Sequence, residues 1–172
     1  MTASLLALWA GLATPAPARQ APASDSAQHA HLRSVMQATF DAFDRLRGAT
    51  HEFRLDLDDA SAELVLARAA RLQRECRAAD SALAGVEQVL ASPPPTPAAR
   101  RQVPPTRAAA RTLRGAFARC IRDWQLDARR PAHPDSIRAW APYRTSQLDQ
   151  VLHREAPQFQ AFAHAAGVEP RR

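Results

Sequence analysis

Leu72, Cys76, Ala79, Leu83, Val86 and Leu90 recur at alternating steps of four and three residues, and this seam constrains the chain more than any other feature. A mean step of 3.5 residues keeps one apolar stripe in line on an α-helix and demands a second helix to cover it. The spacing predicts a helix from about Asp58 or Asp59 to Ala91. Pro93, Pro94, Pro95 and Pro97 then stop it, because proline offers no N–H to the next turn and its ring clashes with the turn before.

The same reading finds partners for that helix. Leu32, Val35, Met36, Phe40, Phe43 and Leu46 form an apolar stripe on a segment predicted helical from Ala27 to Arg47. Asp25 or Ser26 can cap its start, and Gly48 is expected to end it in a left-handed turn. Thr50 to Asp59 reads as a linker of irregular or helical structure, since no second strand exists to pair with it. After a long Pro-rich connection reaching Pro105, Thr106 is expected to cap a third helix running to Asp127. At 100° per residue its Ala110, Leu113, Phe117, Cys120, Ile121 and Trp124 gather on one side. A short helical piece with Ile137 and Trp140 is expected to end near Pro142. A last helix from Ser146 to Ala166 should be kinked or restarted at Pro157.

Four amphipathic helices with mostly antiparallel connections predict an all-α fold, an antiparallel helical bundle with a Pro-rich connection between helices two and three. Scarce Gly (5 of 172 residues) and low aromatic content (6%) favour helix over sheet and a core of many small contacts. The expected organisation is a cleaved signal over residues 1–18, a disordered leader over 19–26, one bundle domain over 27–167 and a tail over 168–172. The signal reading rests on the apolar run Ser4 to Ala13, too short to span a bilayer. Small residues at Ala16-Pro17-Ala18 or Ala21-Pro22-Ala23 then place cleavage after Ala18 or Ala23. No Lys or Arg precedes the run, an atypical start for such a signal. No later segment reaches transmembrane length, so a periplasmic or secreted location is expected for the mature chain.

Two cysteines in an exported chain invite pairing. Cys76 lies 15 residues before Ala91, and Cys120 lies 14 residues after Thr106. At about 1.5 Å per residue, both stand roughly 21–22 Å from the same hairpin end, on apolar faces. An antiparallel pair of helices therefore brings Cys76 and Cys120 to one level, as a disulfide requires. The expected role is structural, since no C-x-x-C or local charge favours redox activity.

Catalytic and cofactor signatures are sparse. The chain has no G-x-S-x-G, no Gly-rich phosphate loop, no H-E-x-x-H and no C-x-x-C-H, and the expectation is a non-enzymatic protein without a cofactor. Asp56-Leu57-Asp58-Asp59 with Glu63 lacks the Gly and spacing of a calcium loop and reads as an acidic helix start. His29 with His31, and Asp149 with His153, read as surface pairs. Met36 early in helix one and His164 late in helix four resemble, in outline, the axial ligands of b-type haem four-helix bundles. That resemblance implies a haem or metal site at Met36 and His164, against which a Met on an apolar stripe is ordinarily core filler.

Charge is the more informative pattern. Every basic side chain is Arg. Residues 98–130 hold nine Arg and two Asp, net +7; residues 41–63 hold seven acids and three Arg, net −4. Arg107, Arg111, Arg114 and Arg122 cluster opposite the apolar face of the third helix. One reading is a solvated face complementary to the chain's own acidic segment. The other is a surface for an anionic partner: anionic lipid, lipopolysaccharide or an acidic protein. Nucleic acid is not favoured for an exported chain whose aromatics sit on apolar faces rather than among the Arg. The resulting expectation is an exported bundle with a structural, binding or envelope-related role, with the basic surface module and the haem bundle as alternatives.

Overall fold

The computed structural model describes residues 22–123 and 133–169. They form four helices: α1 (Pro22–Arg54), α2 (Ala62–Ala91), α3 (Pro97–Asp123) and α4 (Pro134–Ala165), with no strand among the described residues. The chain is an all-helical four-helix bundle.

Consecutive helices run antiparallel, and side-chain contacts give the register. Arg45 pairs with Glu75, and Arg71 with Glu52, between α1 and α2. Between α2 and α3, Gln73 reaches the Ile121 carbonyl and Arg107 the Leu90 carbonyl. Arg144 faces Asp123 at one end of the α3–α4 pair, while the Thr106 hydroxyl meets the Gln158 carbonyl further along. The ring closes where Thr50 and Arg54 of α1 both meet Asp149 of α4. The core fills the space between all four helices. Phe43 sits at its centre, 6.3 Å from Phe117 and 5.5 Å edge-on from Phe159 by ring centroids. The α2 seam is wholly buried, as its spacing requires: Leu72, Cys76, Ala79, Leu83 and Val86 are 0% exposed.

Element boundaries depart from expectation in instructive ways. Helix α1 starts at Pro22, inside the segment read as leader, and passes through Gly48 to Arg54. Beyond it Asp56, not Gly48, takes the left-handed conformation, at φ 48°. Gly48 does not end the helix because Ala49, Thr50 and Phe53 beyond it are buried, and their burial outweighs a glycine's modest helix penalty. Asp is among the few residues other than Gly that tolerate a left-handed turn.

Helix α2 is capped by Ser61, whose hydroxyl accepts from the Leu64 N–H at 3.2 Å. Losing such a cap ordinarily costs about 1 kcal/mol. Ser61→Ala is therefore expected to lower stability by about 1 kcal/mol in urea titration. An unchanged midpoint would mean that packing alone sets this helix start.

Helix α3 begins nine residues earlier than Thr106. Thr96 is the residue that caps it: its hydroxyl accepts from the Ala99 N–H at 2.9 Å and donates to the Ala165 carbonyl at 2.7 Å. Pro97 occupies the first helical position, where no N–H is needed. Pro104 and Pro105 lie inside the helix and free the carbonyls of Arg100 and Arg101, two exposed residues whose carbonyls water can reach. Thr106, buried mid-helix, donates instead to the Gln102 carbonyl at 2.7 Å.

The piece read as a short helix and the last helix are one element, α4. It runs unbroken through Pro142 and Pro157, both on the solvent side. Trp124 and the expected end of the third helix at Asp127 lie outside the described residues, as do residues 1–21. No helix among the described residues is long and apolar enough to cross a membrane.

Candidate anion-binding surface

Cys76 and Cys120 meet at disulfide distance, with Cα atoms 6.3 Å apart. Their pairing survives the early start of α3 for a simple reason. The first two turns of α3 overhang the end of α2, and the extended connection at residues 92–96 climbs the same height that the overhang descends. Both thiol positions are buried, at 0% and 5% exposure.

Six other Arg and one Asp accompany Arg111 on α3. The fold sorts them by direction. Arg114 leans onto α2, where Asp80 at 3.1 Å and Glu87 at 2.8 Å neutralise it. The hydrogen bond and charge of Asp80, with the charge of Glu87, hold the Arg114 guanidinium above its ordinary pKa. Its part in the predicted quartet is thus mainly to tie two helices together.

Arg107 is exposed and donates to the Leu90 carbonyl at 3.0 Å, closing a free C-terminal carbonyl of α2 while keeping its charge unopposed. Arg111 and Arg122 are exposed with no acidic partner among the described residues. Arg100 joins them. At 100° per residue, Arg100, Arg107, Arg111 and Arg122 fall within an arc of about 60°, along about 33 Å of helix. Arg100 was part of the basic segment in the sequence, yet reading α3 from Thr106 leaves it in a loop. The signal that places it on this face is the unbroken 100° phase across Pro104 and Pro105.

The acidic segment does not answer this row. Its Asp44 pairs with Arg47 and its Glu52 with Arg71. Among the described residues no ion pair joins residues 41–63 to α3. In the bundle α1 and α3 are diagonal rather than adjacent, so the acids of α1 do not reach the Arg of α3. Asp56, Asp58, Asp59 and Glu63 gather instead around the α1–α2 turn, exposed to solvent.

The haem ligands suggested by outline do not come together. Met36 is 0% exposed in the core, whereas the His164 side chain is 81% exposed and faces Glu169 at 3.2 Å. Helical phase turns His164 outward although its position along α4 is right for the role. No cluster of three His, Cys, Asp or Glu suited to a metal occurs among the described residues.

Two further sequence candidates have structural work. His29 Nε2 bonds the Ala166 carbonyl at 2.9 Å, tying the start of α1 to the end of α4. Asp149 turns from His153 toward the bundle, accepting from the Thr50 hydroxyl at 2.7 Å and pairing with Arg54 at 2.6 Å.

Beside the α3 row lies a groove between α3 and α4, with a volume of about 470 Å³. Its walls carry Arg119 and Arg144, the latter 3.6 Å from Asp123. Arg144 was invisible as a site residue because nothing in the sequence sets the height of α4 against α3. No protein-family model matches the chain, and no curated protein or solved structure shows significant similarity to it.

Proposed function

We propose that this is an exported, non-enzymatic bundle that docks onto a phosphate-rich anionic envelope surface, of phospholipid or lipopolysaccharide, through the outer face of α3. The observation that carries the reading is the row Arg100, Arg107, Arg111 and Arg122, exposed and without an acidic partner among the described residues. A surface kept positive along about 33 Å of rigid helix suits a planar array of phosphates better than a single small ligand. Guanidinium suits phosphate in particular, since its planar fork donates two parallel hydrogen bonds. Export is supported by the disulfide-distance pair, because such bonds persist in oxidising compartments.

The test is co-sedimentation of the protein, with residues 1–18 removed, with vesicles of phosphatidylglycerol in phosphatidylcholine. Binding is expected to rise with the anionic fraction and to fall steeply between low salt and about 0.5 M salt, where screening shortens to a few ångströms. Binding that is equal on pure phosphatidylcholine, or unchanged by salt, would overturn the reading.

A further inference from the structure

We propose that the α3–α4 groove is a separate binding site for a single carboxylate-headed amphiphile with a medium-length alkyl chain. The groove is built from Ala116, Arg119 and Cys120 on one side and Arg144, Leu148 and Val151 on the other. Its floor is apolar: Ala116, Cys120 and Leu148 are 5–6% exposed and Val151 is partly buried. Its rim is polar, formed by the two Arg together with Gln147, Gln150 and Asp123. A floor that accepts an alkyl chain beneath a rim that accepts an anion is the pattern of an amphiphile site, and about 470 Å³ falls in the range of small-molecule sites.

The charge balance favours an anion. Arg119 is exposed and has no acidic partner among the described residues. Arg144 meets Asp123 only at 3.6 Å, beyond a good hydrogen bond. Antiparallel register, set by the pairs Thr106–Gln158 and Asp123–Arg144, places Arg119 opposite Gln147, about one turn of α4 from Arg144. Two guanidiniums and one carboxylate on the walls of one groove leave a net charge of +1 for a ligand headgroup. A carboxylate there would take the fork of Arg119 and draw Arg144 off its long contact with Asp123. The groove runs from Ala116 to Asp123 on α3 and from Arg144 to Val151 on α4, about 10 Å. Its apolar floor, from Ala116 to Cys120 and from Leu148 to Val151, takes up about 6 Å of that length.

The site is distinct from the outer row of α3, since Arg119 and Arg144 belong to neither the row nor its face. Its test does not depend on vesicle binding. Octanoate, 1-octanol and acetate would be titrated into the disulfide-intact protein by calorimetry, with amide NMR spectra recorded alongside. Octanoate is expected to bind saturably and to shift the amides of Ala116, Arg119, Gln147 and Val151. Acetate and 1-octanol, each lacking one half of the recognition, are expected to bind at least about tenfold more weakly. Arg119→Gln with Arg144→Gln should weaken octanoate about tenfold or more while the melting curve shows the bundle intact. Equal binding of 1-octanol or acetate, amide shifts confined to another part of the bundle, or no saturable octanoate binding would each overturn the proposal. The NMR arm decides the matter even if the double variant fails to fold.

Discussion

Removing the Cys76–Cys120 link, by reduction or as Cys76→Ala with Cys120→Ala, is expected to destabilise the bundle by about 4 kcal/mol. The two residues are 44 apart in sequence, and closing a loop of that size removes conformational freedom chiefly from the unfolded chain. For a domain of this length each kcal/mol moves the melting temperature by about 2–4 °C, so a fall of roughly 8–16 °C should follow. The loss should be felt most at the end of α3. Cys120 lies in the last described turn of α3, and Cys76 of α2 holds that turn against the seam. Differential scanning calorimetry with and without reductant checks this, and a shift below about 2 °C would mean that the α2–α3 packing needs no bridge. Ala rather than Ser is the cleaner replacement, since it brings no polar group into a site 0% exposed.

The second large effect concerns the outer row. Replacing Arg100, Arg107, Arg111 and Arg122 together by Gln is expected to weaken binding to phosphatidylglycerol vesicles by close to three orders of magnitude. Each cation near an anionic surface contributes about 1 kcal/mol, and the four stand on one face. The salt dependence should flatten in parallel, because fewer counterions are released. Arg114→Gln is the informative contrast. Asp80 and Glu87 already neutralise Arg114, so its loss should loosen the α2–α3 pairing more than it weakens vesicle binding. If Arg114→Gln weakens binding as much as the fourfold variant does, the surface is not organised by the row. Among the described residues only Arg107 of the row carries an internal hydrogen bond, to the Leu90 carbonyl, so a melting curve of the fourfold variant separates lost binding from lost structure.

The candidate site was legible in part. Arg107, Arg111 and Arg122 announce themselves by helical phase, and that phase is a local property of the chain. Arg114 shares the phase within some tens of degrees, yet its neighbours on α2 change its role. Asp80 and Glu87 come beside it only once the hairpin has a register. Arg119 and Arg144 illustrate the opposite case: each is unremarkable in sequence, and the groove between them exists only because α4 returns along α3. Met36 and His164 show how position without phase misleads. They lie at suitable heights on two adjacent helices, but one side chain is in the core and the other in solvent.

What the sequence determined by itself was the α2 seam, the helical class, the antiparallel order and the meeting of Cys76 with Cys120. All four follow from periodicity and from distances measured along helices, which are local quantities. Tertiary structure alone decided where the helices begin and end and which charges are answered. Pro97, Pro104, Pro105, Pro142 and Pro157 are breakers in isolation, yet α3 and α4 run through all but the first, which opens α3. A freed carbonyl on a solvent face finds water, while the opposite face of the same helix gains buried apolar area that outweighs the lost bond. The acids of α1 and the Arg of α3 attract in principle, but a bundle that closes α1 onto α2 and α4 sets α1 and α3 on its diagonal. The row on α3 is left facing outward because packing, the stronger force, chose the neighbours first.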